Sequence, residues 1–162
     1  MPKDPSESLV RSLFVRAEAA SLPPVRALLR DAGLPESDLR EEHMEAFFVS
    51  RVGDEGIVAC VGLERFGDTA LLRSLAVRAD ARGNGMGDQA LQTMEVFAAS
   101  KGVHRLCILT TTAEPFFEAR GFKRCDRTAL PASVQASSEF KSLCPATAVC
   151  MFKDIPPAHP TK

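Results

Sequence analysis

A turn of alternating glycines, Gly83-Asn84-Gly85-Met86-Gly87, has the residue types and spacing best suited to chemistry in this chain. It follows the apolar run Leu75-Ala76-Val77 and leads straight into Ala90, Leu91, Met94, Phe97 and Ala98, which recur at helical spacing. Glycines permit positive φ and close approach to the backbone, and the first N–H groups of a helix sit without internal partners at the positive end of its dipole. A strand, glycine turn and helix in that order form an anion site suited to a pyrophosphate. Three nucleotide motifs compete for it. Gly85-Met86-Gly87-Asp88-Gln89-Ala90 meets the dinucleotide fingerprint in form, but the next strand ends in Thr110-Thr111-Thr112 instead of a ribose-binding acid. A Walker loop needs Gly-Lys followed by Ser or Thr, and the chain has none. The third pattern is Arg or Gln, two residues, Gly, one residue, Gly, and Arg82, Gly85 and Gly87 satisfy it.

The chain that must position this turn has 162 residues, 45% of them hydrophobic and 25% charged, the mixture of one soluble globular domain. Twenty Lys and Arg against 21 Asp and Glu leave a formal charge of −1, so no bulk field favours nucleic acid or acidic lipid as a partner. No window has the length of a membrane span, and Met1 to Ser8 is too polar for a signal peptide, so a cytoplasmic location is expected. Five cysteines, Cys60, Cys107, Cys125, Cys144 and Cys150, include no CxxC pair. Reduced, mostly buried thiols and no metal site are expected.

Residues 1–8 and 155–162 read as tails around a single domain over 9–154. Leu9 to Ala17 reads as a first strand. Ser21 caps a helix with two prolines in its first turn and the stripe Val25, Leu28, Leu29 and Ala32, which Gly33 ends. Ser37 to about Met44 reads as a second short helix. Ala46 to Val52, Ile57 to Glu64 and Thr69 to Arg78 read as an antiparallel meander with short turns. After the glycine turn come a long helix to Gly102, a buried strand Val103 to Thr111, a helix turn Phe116 to Arg120, a strand Phe122 to Cys125, a short helix from Pro131 and a last strand Ala146 to Lys153. A strand, long helix, strand unit joined to a meander predicts an α/β (α+β) fold with a mixed, mostly antiparallel sheet flanked by helices.

With Arg82, Gly85 and Gly87 after Leu75-Ala76-Val77, the sequence resembles the GNAT superfamily of N-acetyltransferases over about Leu9 to Lys153. Within it, Leu71-Leu72-Arg73-Ser74-Leu75-Ala76-Val77, Leu109-Thr110-Thr111-Thr112-Ala113, Glu139-Phe140 and Leu143-Cys144-Pro145 look like the arsenic-resistance branch. Leu109-Thr110-Thr111, Phe116-Phe117, Gly121-Phe122 and Leu130-Pro131 also resemble the acetyltransferase domain of N-acetylglutamate synthases. The resemblance implies about seven strands, splayed between the fourth and fifth, and acetyl-CoA as cosubstrate without a metal. It implies transfer of the acetyl group to the primary amine of a small, amino-acid-like acceptor by direct attack in a ternary complex. A cofactor-binding sensor without turnover and acetylation of a protein amine are the alternatives, and a homodimer is compatible with either.

The resemblance also assigns roles. Backbone amides of Arg82, Gly83, Gly85, Gly87 and Asp88 would hold the pyrophosphate, and Leu75 and Val77 would pair with pantetheine as an added strand. The Leu75 N–H would polarise the thioester carbonyl. Thr110 and Phe117 would also line the cofactor. Many family members have a tyrosine acid where this chain has Phe117, and the chain has no tyrosine at all. A thiol of pKa near ~8.5 leaves tolerably as thiolate without one. The acceptor amine needs a base, for which Glu64 at the end of an apolar strand is the first candidate, with His43 and Glu114 as alternatives. Arg73, a cation inside Leu71 to Val77, would grip an acceptor carboxylate or lie in an internal ion pair. Ser74 would bond the acceptor or simply pack. Cys144 falls in the segment expected near the acceptor.

Overall fold

The computed structural model describes residues 14–53, 56–143 and 147–157. The predicted N-terminal tail, most of the first predicted strand and Cys144-Pro145 lie outside them. Seven strands form one sheet in the order β1-β2-β3-β4-β5-β7-β6. The chain divides into two compact units, one comprising the residues up to Gly62 with Ser74–Met94, the other Leu63–Arg73 with Glu95 onward.

The first unit contains β1 (Val15–Arg16), helix α1 (Leu22–Asp31), β2 (Phe47–Arg51), most of β3 (Ile57–Phe66), the end of β4 (Thr69–Val77) and the start of helix α2 (Met86–Ser100). Pro23 and Pro24 fall in the first turn of α1, where their missing N–H groups cost nothing. Val25, Leu28 and Leu29 bury its stripe against Met44, Phe47, Val49, Cys60 and Ala76. Gly33, at φ 72°, ends it. The predicted helix from Ser37 is a correction: only a hydrogen-bonded turn at 37–38 and a 3-10 turn, Glu41–Ala46, form. Arg40 is extended, and its N–H donates to His43 Nδ1 at 2.8 Å. That local bond competes with helical propagation. β1 and β2 pair antiparallel, as do β2 and β3, where Phe47 faces Gly62 and its ring occupies the space a side chain there would need.

In the second unit β3 turns into β4 through Gly67-Asp68, a two-residue connection with Gly67 at φ 71°, which a hairpin requires. β5 (Arg105–Thr110), α3 (Glu114–Glu118), β6 (Lys123–Arg124), α4 (Ala132–Gln135), a π-turn Glu139–Leu143 and β7 (Val149–Asp154) follow. β7 pairs antiparallel with β5 on one side and β6 on the other. Leu71, Cys107, Leu130, Val134, Phe140 and Cys150 form this unit's core. β4 and β5 pair in parallel from Thr69↔Arg105 to Leu71↔Cys107, whereas β4 runs on to Val77. Ile155, expected at the head of the C-terminal tail, is buried, and its N–H donates to His104 O at 2.9 Å. A mixed, mostly antiparallel seven-stranded sheet with helices is thus the fold.

Candidate active site

The end of β4 departs from regular strand geometry where the resemblance asks for an oxyanion donor. Ser74 sits at φ 61°, the one left-handed non-glycine among the described residues. Its carbonyl accepts the Cys60 Sγ–H at 3.2 Å, and its side chain is buried. Such a residue inside a strand is the backbone mark of a bulge, costs about 1–3 kcal/mol, and re-aims the groups that follow it. Those groups are Leu75 and Val77, half-buried, with Ala76 between them turned into the core. That left-handed backbone is a feature no residue type at this position announces. Burial pushes the neighbouring Cys60 thiol up to about 12, so it remains a neutral donor.

Beyond Val77 a 3-10 turn, Ala79–Ala81, leads into the glycine loop. Arg82 Nε donates to Val77 O at 2.9 Å, so this side chain ties the loop back to the strand end. Asn84 Nδ2 donates to Ala81 O at 3.1 Å. Gly83 and Gly85 lie at φ 83° and 78°, and a Cβ built on either would meet nothing within 4 Å. The open space above the loop, left by glycines that the backbone also requires, is the cradle a bulky anion would fill. α2 begins at Met86, with the Gln89 N–H donating to Gly85 O at 3.1 Å as an early helical bond. Gly87 and Asp88 fall in the first turn, where amide N–H groups point out of the helix. The loop and helix start fit a pyrophosphate.

In the second unit the expected acceptor residues are drawn into one ion-pair group. Arg73 is buried, and its Nη1 donates to Glu64 Oε1 at 3.0 Å. Its Nε stands 3.2 Å from Glu139 Oε2. Of the two readings of Arg73, these contacts support the internal ion pair, since two protein carboxylates hold its fork. Glu64, with 26% of its side chain exposed, is the member of this group in contact with solvent. Glu139 went unassigned from sequence. A buried Arg73 demands a partner, yet nothing in the chain order says that Glu139 supplies it.

The alternative bases have other duties. His43 Nδ1 accepts the Arg40 N–H. Glu114 forms a forked ion pair with Arg124, whose hydrogen bond holds the carboxyl below its ordinary range. Thr110 Oγ1 accepts the Ala113 N–H at 2.9 Å and so shapes the entry to α3. Phe117 is buried in α3, edge-on to Phe116 at 5.1 Å and to Phe122 at 5.3 Å. Gly121, at φ 97°, closes that turn, and the Phe122 N–H returns to Phe117 O.

The chain belongs to the GNAT acetyltransferase family: the family profile described as "Acetyltransferase (GNAT) domain" matches residues 43–124, half of its length. Among curated proteins, the amino-acid acetyltransferase of Pseudomonas fluorescens is 35% identical over 99 residues, covering 59% of this chain and 22% of that protein. The Azotobacter vinelandii amino-acid acetyltransferase is 37% identical over 79 residues, 48% of this chain and 18% of that protein. The chain thus spans about a fifth of the length of such relatives. Solved structures that share its fold include the following two. The Neisseria gonorrhoeae N-acetylglutamate synthase complexed with coenzyme A and L-arginine superposes with TM-score 0.75 at 22% identity, over 88% of this chain and 33% of that one. A Mycobacterium tuberculosis protein in complex with CoA and NLQ gives 0.74 at 21% identity, over 88% of this chain and 99% of that one.

Proposed function

We infer that this protein is an acetyl-CoA-dependent N-acetyltransferase whose acceptor is the primary amine of an amino acid or a close analogue. The observation that carries the reading is the loop after β4, where Gly83 and Gly85 hold left-handed backbone under open space and deliver the start of α2. Amides of Arg82, Gly83, Gly85, Gly87 and Asp88 bind the pyrophosphate without adding charge. Leu75 and Val77 offer main-chain partners to pantetheine, as an added strand would use them. The Leu75 N–H, re-aimed by Ser74, polarises the thioester carbonyl as the amine attacks.

Glu64 is the base. Its Oε1 is fixed by Arg73, while the partly exposed carboxylate takes the proton of the acceptor amine directly or through a water. Thiolate leaves without a phenolic acid, consistent with Phe117 packed between two other rings. The amino-acid acetyltransferase relatives support an amino-acid acceptor. An arsenic-containing amino acid is one member of that class, and only the sequence resemblance points to it.

The test is free-thiol release from acetyl-CoA across a panel of amino acids, their decarboxylated amines, arsenic- and phosphorus-containing analogues and lysine peptides. Turnover with α-amino acids is expected. Tight acetyl-CoA binding with no turnover on any amine would instead identify a sensor, and turnover on peptides alone a protein acetyltransferase.

A further inference from the structure

Two thiols that the proposed chemistry does not use stand in contact. Cys125 Sγ and Cys150 Sγ are 3.3 Å apart, both as free cysteines. Their approach is built into the sheet. β6 and β7 pair antiparallel as Lys123↔Phe152 and Arg124↔Met151, and the next step of that register sets Cys125 opposite Cys150. The Cys125 N–H donates to Cys150 O at 3.0 Å and holds the two backbones together. Residues facing each other across an antiparallel pair have Cα atoms about 4.5–5.5 Å apart, within the roughly 4.4–6.8 Å that a disulfide spans.

The two sulfurs differ in access. Cys125 is half-buried beside the second core, whereas Cys150 is 4% exposed within it. Burial, reinforced by the hydrogen bond to Cys125, pushes the Cys150 thiol far above its ordinary range. Cys107, the third described thiol of this core, has its Sγ–H directed to Ala70 O at 3.4 Å. Geometry thus singles out one pair, with one member reachable from outside and one shielded behind it.

We propose that Cys125 and Cys150 are a disulfide-forming modification site, oxidised reversibly by a small hydroperoxide. The Cys125 sulfur attacks the peroxide oxygen, the O–O bond breaks, and the departing hydroxide takes the Cys125 proton as water, leaving a sulfenic acid. The Cys150 sulfur attacks that sulfenic sulfur. The S–S bond forms, the S–O bond breaks, and the second hydroxide leaves as water with the Cys150 proton. Two thiols and one hydrogen peroxide give one disulfide and two waters, with sulfur giving up two electrons. The bond closes a loop of chain from Cys125 to Cys150 that includes Glu139, the partner of Arg73.

The test treats the full-length native protein with limiting hydrogen peroxide, caps remaining thiols with iodoacetamide under denaturing conditions, and maps tryptic peptides by mass spectrometry. Trypsin releases Cys125 within residues 125–127 and Cys150 within residues 142–153, which also contain Cys144. The expected product links Cys125 to Cys150, about 2 Da lighter than the two thiols, with Cys144 alkylated and the link removed by dithiothreitol. In Cys150→Ser the same treatment, with dimedone added before denaturation, should trap Cys125 as its sulfenic acid, and a second equivalent of peroxide should carry it on to sulfinic acid. A link from Cys125 to Cys144 or Cys107, or wild-type Cys125 oxidised to sulfinic acid with Cys150 still alkylated, overturns the assignment. The readout needs no acetyltransferase activity.

Discussion

Arg73 Nε stands 3.2 Å from Glu139 Oε2 with both side chains almost fully buried, and the same guanidinium donates to Glu64. A cation at the middle of β4 is thereby neutralised by protein carboxylates. Arg73→Ala would take the guanidinium away from the buried Glu139, and removing one partner of a buried ion pair costs about 3–5 kcal/mol. Urea unfolding should show that loss, with Arg73→Lys recovering part because an ammonium lacks the fork. On acceptors, Arg73→Ala should lower kcat/KM alike for an amino acid and its decarboxylated amine. A defect confined to the carboxylate-bearing acceptor would restore Arg73 as a substrate grip.

Gly85→Ala should weaken acetyl-CoA binding at least about tenfold, since a Cβ would enter the space where a ligand approaches the amides. Left-handed strain alone costs roughly 1–2 kcal/mol of stability. Gly102→Ala is the matched control, because Gly102 has φ 80° and equally open surroundings but lies at the far end of α2. Calorimetry should find the control normal. Equal affinity for both variants would remove the loop from the binding site.

Phe117→Tyr should change turnover less than about tenfold at saturating acetyl-CoA, because thiolate departure needs no strong acid. Its hydroxyl enters a buried site against Phe116 and Phe122, so stability should fall by about 1–3 kcal/mol unless it finds a partner. A hundredfold gain in rate would show that losing the phenol had crippled the enzyme.

Gly62→Ala should cost about 1–3 kcal/mol, since the new methyl would collide with the Phe47 ring across the β2–β3 pair. Adding Phe47→Leu should restore part of that loss. A Gly62→Ala protein as stable as the wild type would mean that β2 shifts freely, which the buried Phe47 argues against.

Stability should decline at alkaline pH. Burial pushes the Cys60 and Cys107 thiols from 9.0 up to about 12. Above pH 9 the unfolded chain releases these protons while the folded chain keeps them, so stability is complete below pH 9 and lost as pH rises through 12. Cys60→Ala should flatten the curve in that window. An unchanged slope would mean that the thiol ionises equally in both states.

The sequence by itself determined the strand, glycine turn and helix around Gly83 to Gly87, because glycine spacing and a 3.6-residue stripe are local signals. It also determined α1, whose prolines, apolar stripe and Gly33 act within a few residues of one another. Only the tertiary structure placed β7 between β5 and β6, since strand order depends on which edges meet, and brought Cys125 against Cys150. It alone replaced the Ser37 helix by a 3-10 turn, where one hydrogen bond from the Arg40 N–H to His43 outweighed propensity. The left-handed Ser74 was equally hidden, because its setting is tertiary: its carbonyl accepts the Sγ–H of the buried Cys60 on β3. Arg73 was visible as an odd charge, but whether it meets substrate or Glu139 was decided by packing: a buried cation takes the nearest carboxylates the fold supplies, and those come from β3 and from a turn far along the chain.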